Sequence, residues 1–184
     1  YYVNNLVAIL LRSKKPTEAY VILKSSQNVA KESPNFHSKI GHTAFMIFSL
    51  IDLQKEKQAE NHAFVFLTAY KKEVFDHRWH LFFTAYFKAM LVSGNFPGIV
   101  KNYTTYKLKE KDDHYSESAN YTPSIPWMYH LALYKLNDLS FQVLNNTLLA
   151  LRAKTKEYHS TMGNDDLLDL TKSVLKNDFG KMVW

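Results

Sequence analysis

The stretch AYFKAMLVSGNFPGIVKNY, residues 85–103, contains two segments of helical character separated by a short turn. Apolar and small side chains recur at intervals of three and four positions on both sides of the turn, which is the period of an α-helix. Gly94 and Gly98 lie in the turn, where their missing side chains relax the backbone at a point where a helix must stop. The stretch therefore predicts two antiparallel helices joined by a tight turn.

Similar pairs of helical segments occur before and after this stretch. We predict four helix pairs and a closing helix that caps them, with the bounds 1–29, 38–75, 77–110 and 124–157 for the pairs and 164–177 for the closing helix. The second helix of each pair is entered near Ala19, Ala63, Ile99 and Val143, at intervals of 44, 36 and 44 residues. Such intervals are typical of an all-α solenoid, in which each pair buries its apolar faces by stacking on its neighbours. A compact helical bundle is the alternative, because the intervals are irregular.

Residues 85–103 resemble the turn of a tetratricopeptide repeat, in which Gly, a polar residue and an aromatic residue separate two helices. The stretch LVAILLRSKKPTEAYVIL, residues 6–23, is similar to the same unit, with Ala19 in the place of the family's small residue early in the second helix. Phe87 and Ile99 stand where the family usually has small residues. The resemblance extends loosely over residues 1–157. It implies a protein-binding scaffold with a concave groove lined by the first helix of each pair.

The composition predicts one all-helical domain over residues 1–184, because a chain of this length with 46% hydrophobic residues can bury one continuous core. The sequence has no cysteine, which excludes disulfide bonds, a thiolate nucleophile and a cysteine-rich zinc site. No run approaches the ~18 to 20 apolar residues that cross a bilayer. We therefore predict no membrane insertion and a cytoplasmic location.

The charge is uneven along the chain, which carries a formal net charge of +6. Residues 1–50 contain six Lys or Arg against two Asp or Glu. A basic region attracts nucleic acid, an acidic protein surface or a membrane headgroup, because all three offer negative potential. We predict a basic patch that consists of Arg12, Lys14, Lys15 and Lys24. A solvated lysine-rich surface without a partner is the plainer interpretation.

The stretch FDHRWHLFF, residues 75–83, is the sharpest candidate for chemistry. On one helix, His77 and His80 lie about one turn apart, and Asp76 could add an oxygen ligand for a metal ion. A zinc site needs three or four ligands, however, and Asp76 also suits the N-cap of a new helix that starts at His77. We favour the cap and predict no metal, no cofactor and no catalytic residue, hence no enzyme.

The segment 109–127 is predicted to be a long connection without helical period, for which a binding role and a passive insertion are both open. We predict a module that captures a peptide or helix of another, acidic protein in a groove formed by the first helices near residues 40–51, 77–92 and 125–136. The predicted contact residues are Phe48, His80, Tyr86, Tyr121, Trp127 and Tyr129. A helical repeat that binds nucleic acid is the alternative.

Overall fold

The computed structural model describes residues 2–117, 122–155 and 164–182, and it gives the side chains of all of these except Asn164 and Asp165. The described residues form eleven α-helices and one 3₁₀ helix, with no strand. The prediction of an all-α protein is therefore confirmed. The chain divides into two compact units, Tyr1–Ser93 and Gly94–Trp184. We call them the N-terminal unit and the C-terminal unit.

The N-terminal unit contains six helices. They are α1 (Tyr2–Arg12), α2 (Pro16–Ser25), α3 (Gln27–Glu32), α4 (Phe36–Asp52), α5 (Glu56–Asp76) and α6 (Trp79–Ser93). Pro16 opens α2, since the first turn of a helix does not use the backbone N–H that proline lacks. Asn35 caps α4 by accepting a hydrogen bond from the backbone N–H of Ser38 at 3.2 Å.

Helix α4 is the centre of the N-terminal unit, because α1, α2, α3, α5 and α6 all pack on it. All residues from Ile40 to Ile51 are buried, as expected for a helix surrounded on every side. The side chain of Asn4 on α1 lies against the backbone of α4 at Gly41. Asn4 Nδ2 donates to the carbonyl of Ser38 at 3.0 Å, and a Cβ added to Gly41 would lie 2.8 Å from that nitrogen.

The C-terminal unit contains five α-helices and the 3₁₀ helix. They are α7 (Phe96–Thr105), α8 (Leu108–Tyr115), α9 (Ser124–Lys135), α10 (Phe141–Ala153), α11 (Asn164–Leu175) and the 3₁₀ helix Lys176–Lys181. Helix α9 is central here, since α7, α8, α10 and α11 pack on it. Trp127 Nε1 donates to Thr171 Oγ1 at 2.8 Å, and both side chains are buried. This hydrogen bond joins α9 to α11 inside the core of the unit.

The helices fall close to the bounds predicted from the sequence. Helices α1 and α2, α4 and α5, and α9 and α10 occupy the first, second and fourth predicted pairs, and α11 occupies the closing helix. The turn of the third predicted pair contains Gly94, whose φ of 79° is one that glycine adopts without strain. Because α6 and α7 lie in different units, their pairing and a single domain over residues 1–184 remain predictions.

Two local predictions were wrong. Asp76 is the last residue of α5 and not the N-cap of the next helix, because α5 continues past the buried Val74 and α6 starts only at Trp79. The segment 109–127 is not a plain connection, since α8 covers Leu108–Tyr115. Leu108 is its single buried apolar residue, and one such residue produces no helical period in the sequence. Among the described helices, none combines the length and the hydropathy that a bilayer-spanning segment requires.

Candidate functional site

A groove runs along the N-terminal unit where α2 and α3 on one side and α5 on the other pack on α4. It contains two adjoining cavities of about 410 and 330 Å³. Gln27, His62 and Val65 line both cavities, so these side chains mark the point where the cavities meet. The other lining residues are Tyr20, Lys24, Ala30, Lys31, Lys39, His42, Thr43, Met46, Leu50, Gln58, Asn61, Phe66, Ala69 and Tyr70. We call this cleft the basic groove.

The charged side chains of the basic groove are all cationic. Lys24 lines one cavity, and Lys31 and Lys39 line the other. Among the described residues that line the two cavities, none is Asp or Glu. A cleft lined by charges of one sign concentrates the field and attracts ligands of the opposite sign. The basic groove is therefore suited to an anionic ligand.

Aromatic rings hold the lysine ammonium groups at the edges of the basic groove. Lys39 Nζ lies 4.8 Å from the centre of the Phe36 ring and 5.8 Å from that of Tyr70. At the other end, Lys24 Nζ and Lys55 Nζ lie 5.8 and 5.3 Å from the centre of the Tyr20 ring. Cations are attracted to the faces of aromatic rings at such distances. The positive charge is thus positioned before any ligand arrives.

His42, on α4, forms part of the wall of the basic groove. Its Nε2 lies 3.0 Å from the carbonyl oxygen of Leu23, which can only accept, so Nε2 carries the proton and donates. Ser26 Oγ, which donates to the carbonyl of Ile22 at 2.8 Å, lies 3.2 Å from the same nitrogen. Burial lowers the pKa of His42, although the hydrogen bond to Leu23 partly opposes the shift. His42 is therefore a neutral imidazole at neutral pH.

His62, on α5, lies where the two cavities meet. Burial lowers its pKa most, and electrostatic repulsion by His42, Lys24 and Lys31 lowers the pKa further. The imidazole is consequently neutral at neutral pH, although it lies in a groove that favours negative charge. Of the three side chains that line both cavities, His62 is the titratable one.

Apolar side chains provide the rest of the lining. Met46 and Leu50 of α4 are buried and lie at the base of the smaller cavity. Val65 on α5 is 58% exposed and lines both cavities. The combination of an apolar lining with a few positioned polar groups is typical of ligand-binding clefts.

Three of the six predicted contact residues are buried. Phe48 lies beneath Lys88, whose Nζ is 5.5 Å from the ring centre, and Tyr86 packs against Phe82 with ring centres 5.9 Å apart. Trp127 makes the hydrogen bond to Thr171 described above. The exposed fractions of Phe48, Tyr86 and Trp127 are 4%, 3% and 1%. These side chains stabilise helix packing and offer a partner almost no accessible area, which corrects their predicted placement on a binding surface.

Of the other three predicted contact residues, two are not among the residues that line the basic groove and one lies outside the described residues. His80 is half-buried and its ring centre is 5.5 Å from that of Trp79. Tyr129 is half-buried and stacks on Tyr103, with ring centres 3.9 Å apart and an interplanar angle of 11°. Burial, with Asp112 as the next cause, raises the pKa of Tyr103. Tyr121 lies outside the described residues.

The structure divides the predicted basic patch. Arg12, Lys14 and Lys15 are exposed at the turn between α1 and α2, where Lys15 Nζ lies 3.4 Å from a carboxylate oxygen of Glu18. Lys24 lies nine residues beyond Lys15 along α2, about 13 Å away at the rise of an α-helix. Of the four predicted residues, Lys24 alone belongs to the lining of the basic groove.

The candidate metal ligands do not form a cluster. The His77 ring lies 4.7 Å from the ring centre of His37 on α4 and stacks on Phe36 at 6.1 Å. In residues 2–117, 122–155 and 164–182, no three His, Asp or Glu side chains are grouped in a way that could hold a metal ion. Asp76, His77 and His80 therefore do not build a metal site with the other described residues.

No protein-family model, curated protein or solved structure gives a significant match to this chain. The order in which the helices pack and the charges that line the basic groove are therefore the features that indicate a function.

Proposed function

We propose that the protein is a non-catalytic interaction module, built from tetratricopeptide-like helix pairs, that binds an acidic segment of a partner protein. The proposed binding surface is the basic groove between α2, α3 and α5. It differs from the surface predicted from the sequence, which consisted of the first helices of the pairs. The observation that carries the proposal is a cleft lined by lysines, imidazoles and apolar side chains, in which none of the described lining residues is acidic.

The order of helix packing supports a solenoid of helix pairs. In the N-terminal unit, the first helices α1, α4 and α6 contact one another in succession, and the second helix α2 contacts the following first helix α4. Helix α5 contacts α6 in the same way. In the C-terminal unit, α7 contacts α9, and α9 contacts α10. Stacked helix pairs bury their apolar faces by contacts of this kind between neighbours.

The charge of the basic groove supports an acidic ligand, and its shape supports an extended peptide. Two adjoining cavities can accept successive side chains, while Lys24, Lys31 and Lys39 attract carboxylates near the cavity mouths. Exposed ion pairs contribute roughly 0.2 to 1 kcal/mol each, so three of them set specificity and association rate more than affinity. Apolar contact with Val65, which is 58% exposed and lines both cavities, would add to the affinity.

A protein partner is favoured over nucleic acid by the positions of the aromatic rings. Single-stranded nucleic acids bind by stacking bases on open ring faces, with cations along the backbone. Here the rings of Tyr20, Phe36 and Tyr70 each carry a lysine ammonium over a face. A base could stack on those faces only by displacing the ammonium group.

The lining also supports a non-catalytic function. A histidine that acts as a general base is usually oriented by a carboxylate, as in the Ser-His-Asp arrangement. His42 donates its Nε2 proton to a backbone carbonyl instead. Carboxylates are missing from the described lining of both cavities, so His62 also has no such partner there.

The test is a fluorescence anisotropy titration with labelled peptides. The acidic probe is a repeat of Glu-Leu-Glu-Tyr, and the matched probes replace Glu by Gln or by Lys. We expect the acidic peptide to bind about tenfold more tightly than the neutral one, which corresponds to ~1.4 kcal/mol and to two or three exposed ion pairs. The basic peptide should not bind.

A uridine-rich single-stranded RNA is the probe for the alternative partner. Tight RNA binding that falls steeply with salt and that the acidic peptide cannot displace would favour the nucleic-acid module instead. Equal affinity for the acidic and neutral peptides would also contradict the proposal, since the lysines would then make no difference to recognition.

A further inference from the structure

His62 differs from the lysines of the basic groove because it lines both cavities, and its side chain is half-buried. Lys24 and Lys39 each line one cavity, and their ammonium groups lie over the rings of Tyr20 and of Phe36 and Tyr70. A peptide that follows the groove from one cavity to the other must therefore pass His62. A carboxylate of that peptide would meet a half-buried imidazole at this point.

The groups that act on His62 come from every helix of the groove. Lys24 of α2, Lys31 of α3 and His42 of α4 repel a proton on its ring. Lys39 of α4 and Tyr70 of α5 line the same larger cavity, and Tyr20 of α2 lines the smaller one. Helix α6, which also packs on α5, contributes no described residue to either lining. Burial first, and then the cationic surroundings, leave protonation of His62 unfavourable until a negative group enters.

We infer that a carboxylate of the acidic partner is received by His62, and that His62 takes up one proton from solvent as the partner binds. This inference rests on the proposed function. One proton leaves the buffer and binds the imidazole of His62, so that an imidazolium faces the carboxylate. No covalent bond between heavy atoms forms or breaks. A carboxylate within a few ångströms offsets the repulsion from Lys24 and Lys31, because opposite charges favour the protonated imidazole. The ligand thus converts His62 from a neutral to a cationic contact.

The sign of the pH dependence follows from this proton uptake. The pKa of free His62 is below the usual value of 6.5, and a bound carboxylate raises that pKa relative to the free form. Binding therefore strengthens as pH falls through the bound-state value, and stops strengthening below the free-state value. One proton changes affinity by at most about tenfold per pH unit. The Glu side chains of the peptide stay ionised above about pH 5.5. A change in affinity above that pH therefore comes from titration of the protein and not of the peptide.

The experiment is calorimetric titration of the Glu-Leu-Glu-Tyr peptide into the full chain, in buffers of different ionisation enthalpy, between about pH 6 and pH 8. We expect uptake of close to one proton and about fivefold to tenfold tighter binding at the lower pH. His62→Gln should abolish both effects and bind like the wild-type chain at about pH 8. His62→Lys, with a permanent charge, should bind tightly at both pH values without proton uptake.

His114→Gln is the matched control, because His114 is exposed on α8 in the other unit. It should keep the wild-type pH profile. An identical pH profile and proton uptake in the wild type and His62→Gln would overturn the role of His62, while binding of the acidic peptide would still support the proposed function. If the acidic peptide binds at no pH, the proposed function and this inference both fail.

Discussion

His42 Nε2 donates a hydrogen bond of 3.0 Å to the carbonyl oxygen of Leu23, and this bond joins α4 to α2 at the wall of the basic groove. The position of α2 relative to α4 sets the width of the groove, so the bond supports the site as well as the fold. Replacing the imidazole by a ring of similar size that has no hydrogen-bond donor removes the bond but keeps the packing. The substitution therefore measures the contribution of the hydrogen bond to stability.

His42→Phe should therefore destabilise the protein by about 0.5 to 1.5 kcal/mol, the usual net value of one hydrogen bond. The measurement is the free energy of unfolding from urea denaturation at neutral pH. His114→Phe, an exposed position, should change it little. A His42→Phe variant as stable as the wild type would show that the bond contributes nothing to the wall of the groove.

Acid should destabilise the protein, because burial lowers the pKa of His42, His62 and His130. In the unfolded chain these groups titrate near their usual value of 6.5. Below that pH the unfolded state binds more protons than the folded state, so the free energy of unfolding falls as pH decreases toward the folded-state values. Above pH 6.5 these histidines are neutral in both states, so their titration no longer reduces the free energy of unfolding. Urea denaturation at a series of pH values measures the slope.

Three substitutions identify the source of that slope. His42→Gln, His62→Gln and His130→Gln should each make stability less dependent on pH, whereas His114→Gln should leave the dependence unchanged. If the wild-type chain is equally stable on both sides of pH 6.5, the histidines are not held neutral by burial.

Much of the fold could be predicted from the sequence, because apolar side chains facing a core recur at the helical period. Helices α4 and α5 and the turn at Gly94 were found in this way. Helix α3 was missed since it has no buried residue, and α8 since it has only one buried apolar residue. Because these two helices bury so few apolar side chains, their sequences show no apolar repeat at the helical period.

Less of the candidate site could be predicted. Lys24 was identified from charge, but Lys31, Lys39, His42 and His62 were not assigned to a site. Only the lysines are regularly spaced in the sequence, since Lys24, Lys31 and Lys39 are separated by seven and eight positions. His62 joins them only because α5 packs beside α2 and α3 on α4, and this depends on tertiary structure. The aromatic contact residues were misplaced because a helix such as α4, buried on all sides, shows no separate binding face in its sequence.

Gly41→Ala should destabilise the N-terminal unit by about 0.5 to 1.5 kcal/mol, the usual net value of one hydrogen bond. The added methyl group would lie 2.8 Å from Asn4 Nδ2, so the Asn4 side chain must move and give up its hydrogen bond to the carbonyl of Ser38. Gly180→Ala is the matched control, since nothing lies within 4 Å of its added Cβ. Thermal unfolding of the two variants measures the difference, and equal melting temperatures would contradict close contact between α1 and α4.

Asn4→Ala tests the cause of that effect. In the double variant, the smaller side chain should relieve the contact with the new methyl group, so the Gly41→Ala substitution should cost less than in the wild-type background. Additive effects of the two substitutions would show that the strain at Gly41 comes from another neighbour.

Trp127→Phe should cost the C-terminal unit about 2 to 4 kcal/mol, because it removes a buried hydrogen bond and leaves space beside Thr171. Thr171→Val removes the other partner. A double-mutant cycle on the free energies of unfolding isolates the bond, and we expect a coupling of about 1 kcal/mol. A coupling near zero would mean that Trp127 acts through its size alone.

Recognition of an acidic segment by the basic groove can be measured by comparing two triple variants in the peptide titration. The groove variant replaces Lys24, Lys31 and Lys39 by Gln and so removes three positive charges from the basic groove. Arg12, Lys14 and Lys15 changed to Gln remove three charges at the α1–α2 turn, with the same change in net charge. We predict that the groove variant binds the Glu-Leu-Glu-Tyr peptide about tenfold more weakly, and that the turn variant binds within about twofold of the wild type. Equal losses in the two variants would contradict the claim, since net charge and not the groove would then govern binding.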